Sequence, residues 1–216
     1  MLDAALPEGA VAVCEEQTGG RGRLGRAWAA PAGSSILLSV VLRPPAQRHA
    51  PELSLVAGVA TAIVVERATG LAAQVKWPND VMLDRRKVAG ILAELKDGAV
   101  VLGIGLNVSQ APDELPAETR SPAGSLRSVT GRKLERGPIL ADLLLELEQR
   151  YDAWRAGGLD AIYDDLGARD FLRGRRVTVD GGAEGVAQMI DRQGRLEVST
   201  ASGVVLVESG EVAFDR

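Results

Sequence analysis

Four short apolar runs follow one another between residues 73 and 108, at 73–77, 80–83, 87–95 and 99–108, with only turn-forming residues between them. A parallel connection within a sheet needs a crossover of roughly a dozen or more residues, and gaps this short hold none. The runs therefore predict an α+β fold, a mixed or antiparallel sheet with helices gathered on one side, in place of repeated βαβ units. Residues 10–14 (AVAVC) read as a further strand. So does 35–43 (SILLSVVLR), which barely alternates and so predicts burial on both faces. Leu53, Val56, Ala57, Ala60, Ile63 and Val64 recur at helical spacing before Gly70, which stands where a left-handed cap belongs. A second amphipathic helix is predicted over 136–155, striped by Ile139, Leu140, Leu143, Leu144, Leu147 and Tyr151, and a shorter one near 158–167.

The pattern changes after Gly174. Val177/Val179, Leu196/Val198, Val204/Leu206 and Val212/Phe214 alternate with polar residues, and Gly181-Gly182, Gly194 and Gly203 supply turns. We therefore expect a catalytic-sized domain over 1–170 and a small barrel over 174–216. The barrel has too little core to stand alone and must pack on the larger unit.

Composition bounds the partners. With 25% charged residues and a net charge of −4, nothing global attracts nucleic acid or an anionic membrane, so any positive field must be local. A single cysteine, Cys14, excludes an intrachain disulfide framework and most cysteine-ligated metal sites. A cytoplasmic location is expected, since no leader and no bilayer-length apolar run is visible.

Three segments carry the chemistry. In Glu16-Gln17-Thr18-Gly19-Gly20-Arg21-Gly22-Arg23-Leu24-Gly25-Arg26-Ala27-Trp28, glycines and three arginines lie between two apolar strands. The glycines let backbone N–H groups converge into an anion-binding nest, and the guanidinium forks suit phosphate and carboxylate. A solvated basic loop, or an Arg-Gly segment touching RNA, is the alternative. In Lys76-Trp77-Pro78-Asn79-Asp80 and the following Asp84-Arg85-Arg86-Lys87-Val88-Ala89-Gly90-Ile91-Leu92, a wet hairpin tip explains Arg85 and Arg86. Lys87 is explained less well that way, because Val88, Gly90 and Leu92 follow at strand spacing. Gly103-Ile104-Gly105-Leu106-Asn107 lacks the third glycine and the helix of a dinucleotide fingerprint, and reads as a buried strand permitting close backbone approach. Cys14, in a strand, and His49, in a Pro-rich loop, show no paired neighbour in the sequence that would activate them, and both read as bystanders.

Taken in order, GRGRLGRAW, KWPND, KVAGIL and GIGLNV resemble the biotin–protein ligase family, and RGRRVTVD, Gly185 and Gly210-Glu211-Val212 resemble its small SH3-like C-terminal domain. The resemblance implies a class II synthetase-like catalytic domain that uses ATP to convert biotin to biotinyl-5'-AMP. The biotin then passes to a lysine of a biotin carboxyl carrier protein, such as that of acetyl-CoA carboxylase. It implies Lys87, Arg21 and Arg23 as catalytic residues; Gln17, Arg21, Gly22, Arg23 and Lys87 around biotin; Trp28, Asn79 and Asn107 around the nucleotide; and Asp80 as a Mg²⁺ ligand. Homodimerisation stays open. The family also carries a Ser/Thr-Asn or Ser/Thr-Gln motif upstream of the glycine loop, and Met1–Leu6 contains none. The natural product is therefore expected to start upstream, the alternative being a relative with an incomplete biotin pocket. The family's DNA-binding winged helix is not in the sequence either, so DNA is not expected as a partner. Two other readings remain: a lipoate–protein ligase, whose Arg-Arg-x-Ser-Gly-Gly-Gly pattern is replaced here by GRGRLGR, and a non-catalytic nucleotide- or carrier-binding relative.

Overall fold

The computed structural model describes residues 6–117, 121–180 and 182–215. The segment Met1–Ala5, on which the expectation of an upstream start partly rests, lies outside them. The larger sheet joins β1 (Val11–Cys14), β2 (Ser35–Leu42), β3 (Ala73–Lys76), β4 (Asp80–Leu83), β5 (Arg86–Lys96) and β6 (Ala99–Asn107). Its order is β1-β2-β6-β5-β4-β3, and every neighbouring pair is antiparallel. Short turns enforce this: Asp84-Arg85 and Asp97-Gly98 all take positive φ, the backbone hand that matches the twist of a tight hairpin.

Helix α1 (Leu53–Thr69) packs on β3, β4 and β5, and α3 (Arg136–Gly157) packs on α1. Covered on two sides, α1 is buried almost throughout from Leu53 to Val65, as its nearly unbroken apolar sequence requires. Gly70 closes it in the left-handed conformation, φ 77°, donating its N–H to the Glu66 carbonyl. The predicted stripe on α3 divides: Ile139, Leu143, Leu147 and Tyr151 are buried, while Leu140 and Leu144 are partly buried against the core. A short α2 (Leu126–Thr130), capped by the Ser125 hydroxyl, and α4 (Tyr163–Ala168) complete the helices. None among the described residues is long and apolar enough to cross a membrane.

The second sheet contains β7 (Arg176–Val179), β8 (Glu184–Ile190), β9 (Leu196–Thr200), β10 (Gly203–Val207) and β11 (Val212–Phe214), in the order β10-β9-β8-β7-β11. Among the described residues no ladder joins β10 to β11, so this is an open antiparallel sheet where a closed barrel was expected. The alternation predicted for β10 fails for the same reason. As an edge strand with nothing against it, β10 leaves Val204 63% and Leu206 44% exposed, and only Val207 turns inward. The sheet packs on the larger unit as predicted. Val177, Val179, Ile190, Leu196 and Val198 belong to the same contiguous core as α1. Phe171 meets Phe214 edge-on at 4.9 Å, and Trp77 donates its indole N–H to the Gly194 carbonyl at 2.9 Å.

Candidate active site

Alternation divides the large sheet. Ile36, Leu38, Val40, Ile91, Leu102, Ile104 and Leu106 join the core under the helices. The intervening residues Gly90, Leu92, Val101, Gly103, Gly105 and Asn107 line a cavity of about 970 Å³ on the opposite face. Its floor is shaped by one cross-strand pair, Gly90 on β5 opposite Gly105 on β6. The Trp28 indole lies on both. A Cβ at Gly105 would fall 2.6 Å from Trp28 Cε2, and one at Gly90 would fall 2.9 Å from Cζ3. The close approach inferred for the Gly103-Ile104-Gly105 strand is thus made by a side chain from the glycine loop.

That loop departs from the expected nest. Of Gly19, Gly20, Gly22 and Gly25, only Gly25 takes a positive φ, beside Leu24 at φ 57°. The loop folds as a small hairpin: Gly22 N–H bonds to the Arg26 carbonyl, Trp28 N–H to the Gly20 carbonyl, and Arg21 bridges to Ala27. Those N–H groups serve the hairpin and not an anion. Gly20 is required for proximity, since a Cβ there would lie 2.2 Å from the Trp28 carbonyl oxygen. The anion-binding potential of the loop therefore resides in its guanidinium groups. Arg21 pairs with Glu94 at 3.1 Å, and Arg26 pairs with Glu211 of the second sheet. Arg23 reaches Asn79 Oδ1 at 3.4 Å and the Gly210 carbonyl at 3.5 Å.

Lys87 reaches the cavity by a route that strand spacing does not reveal. Strict alternation along β5 would group it with Ala89 and Ile91, on the helix-covered face. A register shift between Val81 and Met82 of β4 leaves one extra residue in β5, so Val88 and Ala89 are both buried and Lys87 changes face. Its ammonium lies 2.6 Å from Asp80 Oδ1 and 5.7 Å from the centroid of the Trp28 ring. Segment 122–124 runs beside it, with Lys87 N–H bonded to the Pro122 carbonyl and Gly124 N–H to the Lys87 carbonyl. As predicted, Arg85 and Arg86 are solvent-exposed at the hairpin tip.

Side-chain amides mark the polar part of the cavity, Asn107 at its far end and Asn79 midway along the floor, beside Ile91. Asn79 donates to the Ile91 carbonyl at 2.6 Å. Asn107 donates to the Gly124 carbonyl at 3.0 Å, and its Oδ1 accepts from Ser35 Oγ at 3.2 Å and Gln110 Nε2 at 3.0 Å. Asp80 fits a metal poorly. Its carboxylate is engaged by Lys87, and among the described residues no three potential ligands cluster. Cys14 and His49 are exposed and do not line the cavity.

All nine residues singled out from the sequence, Gln17, Arg21, Gly22, Arg23, Trp28, Asn79, Asp80, Lys87 and Asn107, line this one cavity. Sequence reading missed Gln110 and Glu94, counted Arg26 only among the three arginines of the loop, and gave Glu211 no part in the site, although all four line the cavity too. The first two lie outside any repeated pattern, and the ion pair of the last two joins residues 185 positions apart.

Comparison with known proteins agrees with the geometry. Residues 1–110 match the model of the biotin/lipoate A/B protein ligase family. A biotin–[acetyl-CoA-carboxylase] ligase of Mycobacterium tuberculosis is 43% identical over 97% of this chain and 80% of its own length. A bifunctional ligase/repressor of Bacillus subtilis is 35% identical over 95% of this chain, which spans 66% of that relative. Among solved structures, the biotin protein ligase of Aquifex aeolicus in complex with biotin and ATP superposes with a TM-score of 0.88 at 28% identity, covering 98% of this chain and 90% of that one. By motif, cavity and fold, the chain belongs to the biotin–protein ligase family.

Proposed function

We propose that this chain activates biotin with ATP to biotinyl-5'-AMP and transfers the biotin to a lysine of a biotin carboxyl carrier protein. One observation carries the reading: an ammonium, a guanidinium-bearing loop and an aromatic platform converge on a cavity with one apolar and one polar end. In the first step a biotin carboxylate oxygen attacks the α-phosphorus, and the bond to pyrophosphate breaks. Two anions must meet, so the protein's task is charge neutralisation and alignment, with no covalent enzyme intermediate. Lys87 stands where the two meet, held by Asp80 until an anion competes for it. In the second step the carrier amine attacks the acyl carbon and AMP leaves.

The floor from Val101 to Asn107 spans seven residues, six strand rises or about 20 Å, which suits an extended acyl-adenylate. Biotin's apolar chain fits the end lined by Leu92, Val101 and Gly103, with Gln17, Gly22 and Arg21 closing over it. The nucleoside fits the polar part marked by Asn79 and Asn107, against Trp28. Arg23 and Arg21 cover the reacting phosphate. Asp80, engaged by Lys87, would not hold Mg²⁺, which would arrive with the nucleotide and supply charge neutralisation to its phosphates. We assign residues 174–216 as an SH3-like appendage that presses Glu211 against the loop. The test is carrier-free exchange of labelled pyrophosphate into ATP. Exchange that requires biotin supports the reading, while exchange supported only by lipoate, or none, contradicts it.

A further inference from the structure

The second sheet ends at β10, whose only strand partner among the described residues is β9. Its residues Gly203-Val204-Val205-Leu206-Val207 include no charge, no proline and no bulge, the devices that usually keep an edge strand from pairing with another chain. Val204 is 63%, Leu206 44% and Val205 37% exposed. The other edges differ. Among the described residues, β11 is three residues long and β3 is bridged on its outer side by segment 169–171, so β1 is the second open edge. The register fixes what β10 offers. Thr200 and Gly203 close a two-residue turn, so they must exchange both of their hydrogen bonds. Direction alternates from there. Gly203, Val205 and Val207 turn their N–H and C=O groups to β9, and Val204 and Leu206 turn theirs outward. The side chains of Val204 and Leu206 also share one face of the sheet, in line with Ser199 and Glu197 of β9.

We infer that β10 pairs with β10 of a second copy of this chain, antiparallel about a two-fold axis at Val205, joining two five-stranded sheets into one. In that register Val204 lies opposite the other copy's Leu206, outward-directed groups meet outward-directed groups, and each of the two symmetric pairs exchanges both hydrogen bonds. The same pairs bring the exposed apolar side chains of both copies together on one face, and Val205 meets its own counterpart on the other. Ser202 then faces Glu208, a hydroxyl against a carboxylate, so no like charges meet at the ends. Neighbouring registers fit worse. A slip by one residue opposes outward-directed groups to groups already bonded to β9, and a slip by two sets an apolar side chain against Ser202 or Glu208. Both halves of the fit come from one strand, as an isologous interface requires. Five residues a side make a small contact, so half-association is expected at about 10–100 µM.

The experiment is sedimentation equilibrium of the full chain, whose apparent mass should climb from the monomer value towards twice that value across this range. Leu206→Pro removes an outward N–H without taking one from β9, and Val204→Lys sets a charge against the apolar pair. Each should weaken association by about tenfold or more with an unchanged circular dichroism spectrum, while Val11→Lys on the β1 edge should leave association as it was. Amide exchange answers without any variant. The Val204 and Leu206 N–H groups should exchange severalfold more slowly in concentrated than in dilute protein. A chain that stays monomeric up to about 1 mM overturns the inference. So does a dimer in which those two amides are no slower, or one that Val11→Lys breaks and the β10 variants leave intact. A monomer whose β10 variants raise KM for the carrier domain would assign the edge to the carrier and overturn self-pairing likewise.

Discussion

Lys87 owes its place to Val88, the extra residue that turns it away from the helices and towards Asp80. If that ammonium offsets the charge of carboxylate and phosphate as they meet, Lys87→Ala should lower pyrophosphate release by on the order of 10²–10³, the usual effect of losing one transition-state donor. The melting temperature should change little, because the side chain is 27% exposed and lies on the cavity side of the sheet. Pyrophosphate release at the wild-type rate would remove Lys87 from the chemistry. A second residue tests the fold and not the reaction. Burial raises the Asp170 carboxyl above the usual carboxylate range, against the opposing pull of the Leu172 N–H and of Arg173, and its Oδ2 has no partner. A carboxyl that is harder to ionise when folded withdraws stability as pH rises through its unfolded value. Asp170→Asn should therefore raise the melting temperature at pH 7, with the gain vanishing below about pH 4, where the carboxyl is protonated in both states. A gain that persists in acid would place its origin elsewhere.

At the level of elements, the sheet and helices were legible because their signals are local. The four apolar runs with turn-length gaps dictated antiparallel pairing, and α1 ended where Gly70 said it should. The glycine loop was located correctly but its conformation was not. Glycine tolerates positive φ without requiring it, and the hairpin consumed N–H groups that an anion was expected to claim. The bulge beneath Lys87 was invisible because a one-residue excess depends on the partner strand as much as on its own sequence. The Gly90–Gly105 pair illustrates the same limit: each glycine is plain in the sequence, and the indole that needs both comes from more than 60 residues earlier. Gly105→Ala places a Cβ 2.6 Å from the Trp28 ring, closer than atoms in contact tolerate, so the indole must lift from the sheet. We expect kcat/KM for ATP to fall by more than tenfold with little change in melting temperature. An alanine variant that keeps full activity would show that the platform is not used.

For the whole molecule, the second sheet is an active participant in the site, since Glu211, 9% exposed, reaches Arg26 of the loop. Its open edge was not foreseeable from alternation, which records which residues can face inward and not whether a strand will be covered. A pair this partly exposed couples modestly, on the order of 1 kcal/mol. Arg26→Ala and Glu211→Ala should each weaken retention of the adenylate, and the double variant should be no worse than either alone. Additive losses would mean that the two act separately. Charge neutralisation at Lys87, a loop fastened by the second sheet and a cavity polar at one end all serve one claim, that the chain joins biotin to a carrier lysine at the expense of ATP. The direct measurement is the intact mass of a biotin carrier domain after incubation with the protein, ATP, Mg²⁺ and either biotin or lipoate. The account predicts a single biotin adduct on the carrier, dependent on ATP, and none with lipoate. A lipoyl adduct in its place, or an unmodified carrier under both conditions, would contradict it.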